Sequence, residues 1–440
     1  MNIFTYTPMK NPVAEKERWV ALDILRGAAV LGILLMNIRE FSLPANFSEA
    51  WRGDPDNANF WIYNLIHVLF EGKMRAMFSL LFGAGILLFS FQKEDPTPLF
   101  YKRMLVLLIF GLMDTYLFLW IGDILFYYSI CGMIVYLFRK MKPIYLSLAV
   151  PIVAILGFIG NSIFLLNAKQ TRLLFNEAMA VQAEGKALRK DQVKSIEEWR
   201  NLEKTLLQNN EEIKKITAQY KGTYRETANY VWPQSFLYQT TYLPMSIADP
   251  IALMLLGMAL LKWGYLTTMS SKKHKRILKF ALIIGLPLAI WNTWYQYKNF
   301  PNYDSIILYI ETKGINWMIL VYEIQRIALV LAIISAIIII YRAGILQLTF
   351  RMLSNVGRLA LTNYLSQSII CGFVFYGCGL NFYAEWDYKE IILFVPLVWL
   401  FQIIFSHYWL KHYTMGPLEW VWRSLIYGKM ETIKRKEGVS

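Results

Sequence analysis

His67 and Glu71, four residues apart in IHVLFEGKMRAMFSLLFGAG, carry the strongest chemical possibility in this chain. On a helix they share a face, so the carboxylate can orient the imidazole and raise its basicity, which is half of a general-base arrangement. Lys73 and Arg75 follow at once and suit an oxyanion or an acidic substrate group. A lone histidine on an apolar helix is most often a satisfied structural residue. Against that, the other three histidines, His274, His407 and His412, fall at loop or helix ends. His67 is therefore the leading candidate for a catalytic base, with Glu71 behind it.

Other ionisable residues interrupt apolar runs, where each costs about 3 kcal/mol on insertion scales and calls for a reason. In ALDILRGAAVLGILLMN, Asp23 and Arg26 are three apart on one face, Gly27 and Gly32 allow close helix approach, and Asn37 lies near the far end. Asp23 can neutralise Arg26 as a structural pair, or Arg26 can bind an anionic group such as a phosphate. Glu323 and Arg326 have the spacing of an internal salt bridge. Arg358, Asn363 and Gln367 in GRLALTNYLSQS suit either a polar pocket or hydrogen bonds between helices, and Asp114, Asp123 and Asp249 are further buried acids. No P-loop, GxSxG elbow, HExxH or GxGxxG is present, which argues against an ATP-driven pump, a serine hydrolase or a zinc protease. Cys131, Cys371 and Cys378 show no metal or disulfide spacing, so neither metal nor disulfide is expected.

The elements that must position these groups are helices in lipid. Of 440 residues, 56% are hydrophobic and 16% aromatic, more apolar side chain than a soluble core needs. Segments long and apolar enough to span occur at about 19–41, 73–92, 100–120, 122–139, 143–166, 244–263, 276–297, 316–341, 357–379 and 389–410. The expected fold is thus all-α, a polytopic membrane protein of about ten transmembrane helices. The first run contains Asp23 and Arg26 and lacks a small-residue cleavage site, so it reads as a retained helix. Residues 58–72 are too short to span and read as an amphipathic or half-inserted helix.

Lysine and arginine alternate between loops, and the distribution puts both termini in the cytoplasm of a cell-membrane protein. The net charge of +14 lies beside apolar runs without a nucleic-acid motif, so membrane lipids rather than nucleic acid are the expected partners. Residues 167–230 are charged with mixed sign, have apolar residues at helical spacing and break near Gly185, which predicts an extracytoplasmic helical hairpin. The chain divides into N-terminal transmembrane helices with the candidate site (1–166), that insert (167–230) and C-terminal transmembrane helices (231–440). Amphipathic segments at 342–356 and 411–428 allow a homodimer.

Four motifs, LDILRGAAVLGILLMN, FEGKMRAMFSLLFGAGILL, GRLALTNYLSQSII and GPLEWVWR, in this order resemble the DUF418 or YeiB-like membrane proteins over nearly the whole chain. That family resembles, by fold, the transmembrane acyltransferases: the acyltransferase-3 proteins and heparan-glucosaminide acetyltransferase. The resemblance implies acyl transfer from cytoplasmic acyl-CoA to a hydroxyl or amine outside. It is partial at the residue level. Arg26 matches the arginine of the acyltransferase-3 first helix, but Asn37 stands where that family has its catalytic histidine, and asparagine is not a base. The glucosaminide acetyltransferase carries its histidine after the first helix, a region comparable to that of His67.

The leading expectation is an acyltransferase taking acyl-CoA as donor substrate, with Arg26 on its phosphates, His67 and Glu71 as base, and Lys73, Arg75 or Asn37 at the oxyanion. The acceptor is an envelope glycan or a lipid-linked group. A transporter or flippase for a small anionic or lipid-like substrate is the alternative, and a scaffold whose hairpin binds a partner is a third.

Overall fold

The computed structural model describes residues 12–44, 54–91, 96–206, 210–430 and 432–434. Among them the chain is helical, apart from an isolated bridge between Tyr413 and Lys434. The first half contains α1 (Pro12–Ser42), α2 (Ala58–Leu69), α3 (Lys73–Ser90), α4 (Thr97–Tyr116), α5 (Leu125–Tyr136), α6 (Pro143–Ser147), α7 (Ala149–Ala183), α8 (Lys190–Leu206) and α9 (Asn210–Tyr220). The second contains α10 (Tyr224–Thr240), α11 (Leu243–Lys262), α12 (Ser271–Asn299), α13 (Tyr303–Thr312), α14 (Met318–Arg342), α15 (Gln347–Arg358), α16 (Ala360–Phe375), α17 (Tyr388–His412) and α18 (Pro417–Tyr427).

Among the described residues, seven segments are long and apolar enough to cross a membrane: Val20–Ser42, Ala58–Ser90, Pro143–Ala183, Leu243–Lys262, Ser271–Asn299, Met318–Arg342 and Tyr388–His412. Helices also occupy the other three segments read as spans, with a physical difference in each. The helix α4 carries Lys102, Arg103 and Asp114. Leu125–Tyr136 and Ala360–Phe375 are shorter apolar helices of 12 and 16 residues, about 18 and 24 Å of rise against a hydrocarbon core of about 30 Å.

The short segment after α1 folds as expected from its length. The helix α2 ends at Leu69, and Gly72, at a φ of +68°, turns the chain directly into α3. Only glycine takes that conformation without strain, and here it also makes room for the Tyr322 hydroxyl. The insert departs from its expected boundary. Nothing breaks the helix at 166, so α7 runs unbroken to Ala183, about 52 Å of rise, before turning at Gly185. Its apolar stretch is exposed, with Ile152, Ile155, Leu156 and Ile159 facing outward. Beyond it, Trp199 of α8 is fully buried against Ala168 and Ile310, and Arg172 pairs with Glu311 of α13 at 2.5 Å. The charged segment is therefore docked on the bundle.

The helix α1 packs against α3, α14, α15, α16 and α17 and is the shared wall of the core. Two glycine pairs set its surroundings. A Cβ on Gly27 would collide with the Leu353 carbonyl oxygen, and one on Gly357 with that of Asp23, so α1 and α15 touch backbone to backbone. Gly83 and Gly257 do the same for α3 and α11, each meeting a carbonyl of the other helix.

Replacing Gly357 with alanine is expected to separate α1 from α15 and to cost about 2 kcal/mol or more. Thermal unfolding of the detergent-solubilised protein checks this. Gly160→Ala, on the open face of α7 with nothing within 4 Å, should leave the midpoint unchanged.

Candidate functional site

Where α1 ends, the bundle opens into a cavity of about 560 Å³. Its wall takes Arg39, Glu40 and Leu43 from the end of α1, Arg75 from the start of α3, and Asp123, Tyr127 and Tyr128 from the α4–α5 turn and α5. The docked insert adds Ile216 and Tyr220 from α9 and Tyr230 and Tyr238 from α10, while Ser246 and Pro250 come from α11 and Tyr383 from the loop before α17. Rings that offer an apolar face and a hydroxyl, together with two guanidiniums, suit an amphipathic ligand with an anionic or hydroxylated group.

Arg75 is the cavity's link to a buried ion network. Its Nη2 lies 2.9 Å from Asp249 Oδ2. Asp249 also receives both terminal nitrogens of Arg326, at 3.1 and 2.5 Å, and Arg326 Nη2 reaches Glu323 Oε2 at 2.5 Å. The Glu323–Arg326 pair is thus present, with Asp249 of α11 as a second partner that spacing did not reveal. Arg326 is 1% exposed. A guanidinium this deep needs more than one carboxylate to offset its lost hydration. Arg326 also sits against the Tyr322 ring, 5.4 Å from its centroid, and the Tyr322 hydroxyl donates to Glu71 Oε1 at 3.0 Å.

His67 stands at the far end of this chain of groups. Its Nε2 is 4.0 Å from Glu71 Oε2, beyond hydrogen-bond reach, and its ring stacks on Tyr63. The pairing expected from spacing therefore brings the two groups to one face without bonding them. His67 is not among the residues lining the cavity, and Glu71, Tyr322, Arg326, Asp249 and Arg75 form a chain of contacts between the two. Lys73, read as an oxyanion group, is 1% exposed and donates its Nζ to the His67 carbonyl at 3.0 Å, fastening α2 onto α3.

Around the middle of α1, six residues into its apolar stretch and about 20 Å from Arg39 along the helix, a second basic group assembles. Arg26 bonds Asp23 at 2.9 Å. Arg103 of α4 shares an electrostatic neighbourhood with Arg26 and with Arg423 of α18, and stacks over the Trp422 ring at 4.3 Å. Arg358, at the end of α15, faces Asp23 and donates to the Thr414 carbonyl at 3.0 Å. Glu419, the acid of GPLEWVWR, is committed elsewhere: it accepts from the Leu361 and Thr362 amides and the Thr362 hydroxyl, fixing α18 to α16.

The remaining polar candidates tie helices together. Asn363 Nδ2 donates to the Val356 carbonyl and the Ser406 hydroxyl, and Gln367 donates to the Val30 carbonyl of α1 and to Gln402 of α17. Gln402 in turn donates to the Asn363 carbonyl at 2.7 Å. Of the two uses the sequence allowed for this pair, helix joining is the one these bonds perform. Asn37 is half-buried on α1 and is not part of the cavity wall. The cavity residues missed from sequence, Arg39, Tyr220, Tyr230 and Tyr383, come from segments whose proximity only the folded chain creates.

The family model described as Protein of unknown function (DUF418) matches residues 260–429. Over nearly the whole chain, the sequence is similar to bacterial proteins described as uncharacterized. YeiB of Escherichia coli (strain K12) is 30% identical over 93% of this chain and 96% of its own length. YxaH of Bacillus subtilis (strain 168) is 27% identical over 97% of this chain and 99% of its own length. No solved structure matches.

Arg326→Met should leave Glu323 without its cation and Asp249 with Arg75 alone, and destabilise the fold by about 3–5 kcal/mol. The triple change with Asp249→Asn and Glu323→Gln should recover part of that loss, read as unfolding midpoints in detergent.

Proposed function

We propose that this chain, which belongs to the DUF418 family of YeiB-like membrane proteins, is a membrane-bound acyltransferase working between the two faces of the cell membrane. In this reading ten helices span, both termini are cytoplasmic, and α8 to α10 lie outside, where they roof the cavity. The observation that carries it is the pairing of two cationic sites on one helix, with the arginine group around the middle of α1 and the Arg39–Arg75 cavity at its end.

Arg26, Arg103 and Arg423 then meet the phosphates of a cytoplasmic acyl-CoA, the planar guanidinium suiting phosphate oxygens. The acceptor, a hydroxyl or amine on an envelope glycan or lipid-linked group, enters the tyrosine-lined cavity from outside. Arg75, held in place by Asp249, faces the developing oxyanion. His67, with Glu71, is the candidate base, and in this reading the acceptor's hydroxyl or amine must come within hydrogen-bond reach of its imidazole. The new C–O or C–N bond forms as the thioester C–S bond breaks, and the acceptor's proton ends on the departing thiolate.

An open cavity above buried charges also favours a transporter or flippase for an anionic or lipid-like substrate, which moves its substrate unchanged. Radiolabelled acyl-CoA given to the purified protein in vesicles separates the two readings. Acyl transfer or slow thioester hydrolysis is expected. Arg103→Ala should raise KM for the donor about tenfold with kcat little changed, and His67→Ala should lower kcat about 100-fold or more. Absence of acyl-CoA binding together with full activity of His67→Ala in cells would sink the acyltransferase reading, and flux of an unmodified substrate would establish the alternative.

A further inference from the structure

The floor of the cavity holds an arrangement that the acyl-transfer reading leaves unused. Asp123 lines the cavity, and behind it lies Asp114, a turn along α4 from Gly111. Gly111 makes this closeness possible. A Cβ there would stand 2.7 Å from Asp123 Oδ2 and would collide with the Phe126 amide, so only a bare backbone lets the start of α5 press onto α4.

The two carboxyls are provided for very differently. Asp123 accepts the Leu125 amide at 3.0 Å and the Phe126 amide at 2.8 Å, a setting that favours its charged form. Asp114 is fully buried, yet neither of its oxygens has a hydrogen-bond partner. Its polar neighbours are Asp123 and Ser368 of α16. Tyr364 of α16 accepts the Ile124 amide at 3.1 Å and has its own proton to give to Asp123.

The other charged and titratable groups on the cavity wall do not supply a counter-ion. Arg75 is paired with Asp249, Arg39 faces Glu40 and Tyr388, and Tyr127 and Tyr128 are neutral phenols. Among the described residues, no ion pair involves Asp114 or Asp123. Two carboxylates side by side in an apolar interior, without a cation, repel each other and forfeit their hydration. A single bound proton removes both costs and supplies the donor that the Asp114 oxygens otherwise lack.

We infer that Asp114 and Asp123 form a two-carboxyl proton site in the floor of the cavity, with Asp114 carrying the proton and Asp123 presenting its charge to whatever occupies the cavity. The site stands apart from the acyl-transfer reading, because it links cavity occupancy to proton uptake whether the occupant is modified or carried. Gly111 and Tyr364 hold it together, one by making room and the other by donating to the charged member.

Dicyclohexylcarbodiimide, which modifies protonated carboxyls in apolar surroundings, tests the site directly on the full-length protein in detergent, with peptide mass spectrometry as readout. Asp114 or Asp123 should be labelled at neutral pH, and the label should fall several-fold as the medium becomes alkaline. Asp123→Asn should keep Asp114 labelled in acid and move the fall in labelling to lower pH, because the neighbouring charge that favours the proton is gone. Asp114→Asn should abolish labelling without lowering the unfolding midpoint, and if that variant does not fold, the Asp123→Asn and wild-type pH curves decide. A wild-type protein that resists labelling at neutral and acidic pH alike overturns the inference. So does protection by sodium at constant pH, which would mean that the pair holds a metal cation. None of these readings depends on acyl-transfer activity.

Discussion

Arg326 brings a full positive charge into an apolar helix bundle, and much of the arrangement around it follows from the need to neutralise that charge. Its two carboxylate partners come from different places: Glu323 lies one turn away on α14, while Asp249 belongs to α11. Asp249 is shared with Arg75 of α3, so three helices are held by two ion pairs that share one carboxylate. Such a network is poor evidence of extra stability, since a well-packed apolar core of the same volume is often as stable. What it provides is position. Once Arg326 is buried, α3, α11 and α14 have one acceptable mutual arrangement, and in that arrangement Arg75 reaches the cavity.

The network needs helices that approach closely enough to share carboxylates. The Gly83–Gly257 contact supplies this between α3 and α11, where the backbones touch through missing side chains. The Gly27–Gly357 contact does the same between α1 and α15 and brings Arg358 into the neighbourhood of Asp23 and Arg26. Small residues and charges thus act together. The glycines set the distances, and the ion pairs and the amide bonds of Asn363, Gln367 and Gln402 fix the registers. Polar groups used for assembly sit deep between helices, whereas those that line the cavity gather where α1 ends.

The insert changes meaning in this frame. As a sequence it is a run of mixed charge with a helical pattern, which ordinarily marks a solvated face. Folded, it buries Trp199, Ile216 and Tyr220, and lends two tyrosines from α10 to the cavity. A cavity in an apolar helix bundle that borrows part of its wall from a charged segment gains aromatic hydroxyls that an all-apolar bundle would not offer.

By itself the sequence determined the helical class, the positions of the longer apolar helices, the break after Leu69 and at Gly185, and the local pairs Asp23–Arg26 and Glu323–Arg326. All of these depend on interactions within a few residues, such as helical periodicity, a glycine turn, or two charges one turn apart. It also identified which buried residues were too costly to be idle, Asp114, Asp123 and Asp249 among them. Tertiary structure alone decided what each one does. Lys73 proved to be a fastener for α2, and Asn363 and Gln367 became ties between helices. His67 was brought to Glu71 but set away from the cavity wall. Asp249 acquired Arg75 and Arg326, while Asp114 has no ion-pair partner among the described residues. Partners far apart in the chain are chosen by how helices cross, and a crossing depends on which two backbones can touch, a property of pairs of surfaces that no single segment records.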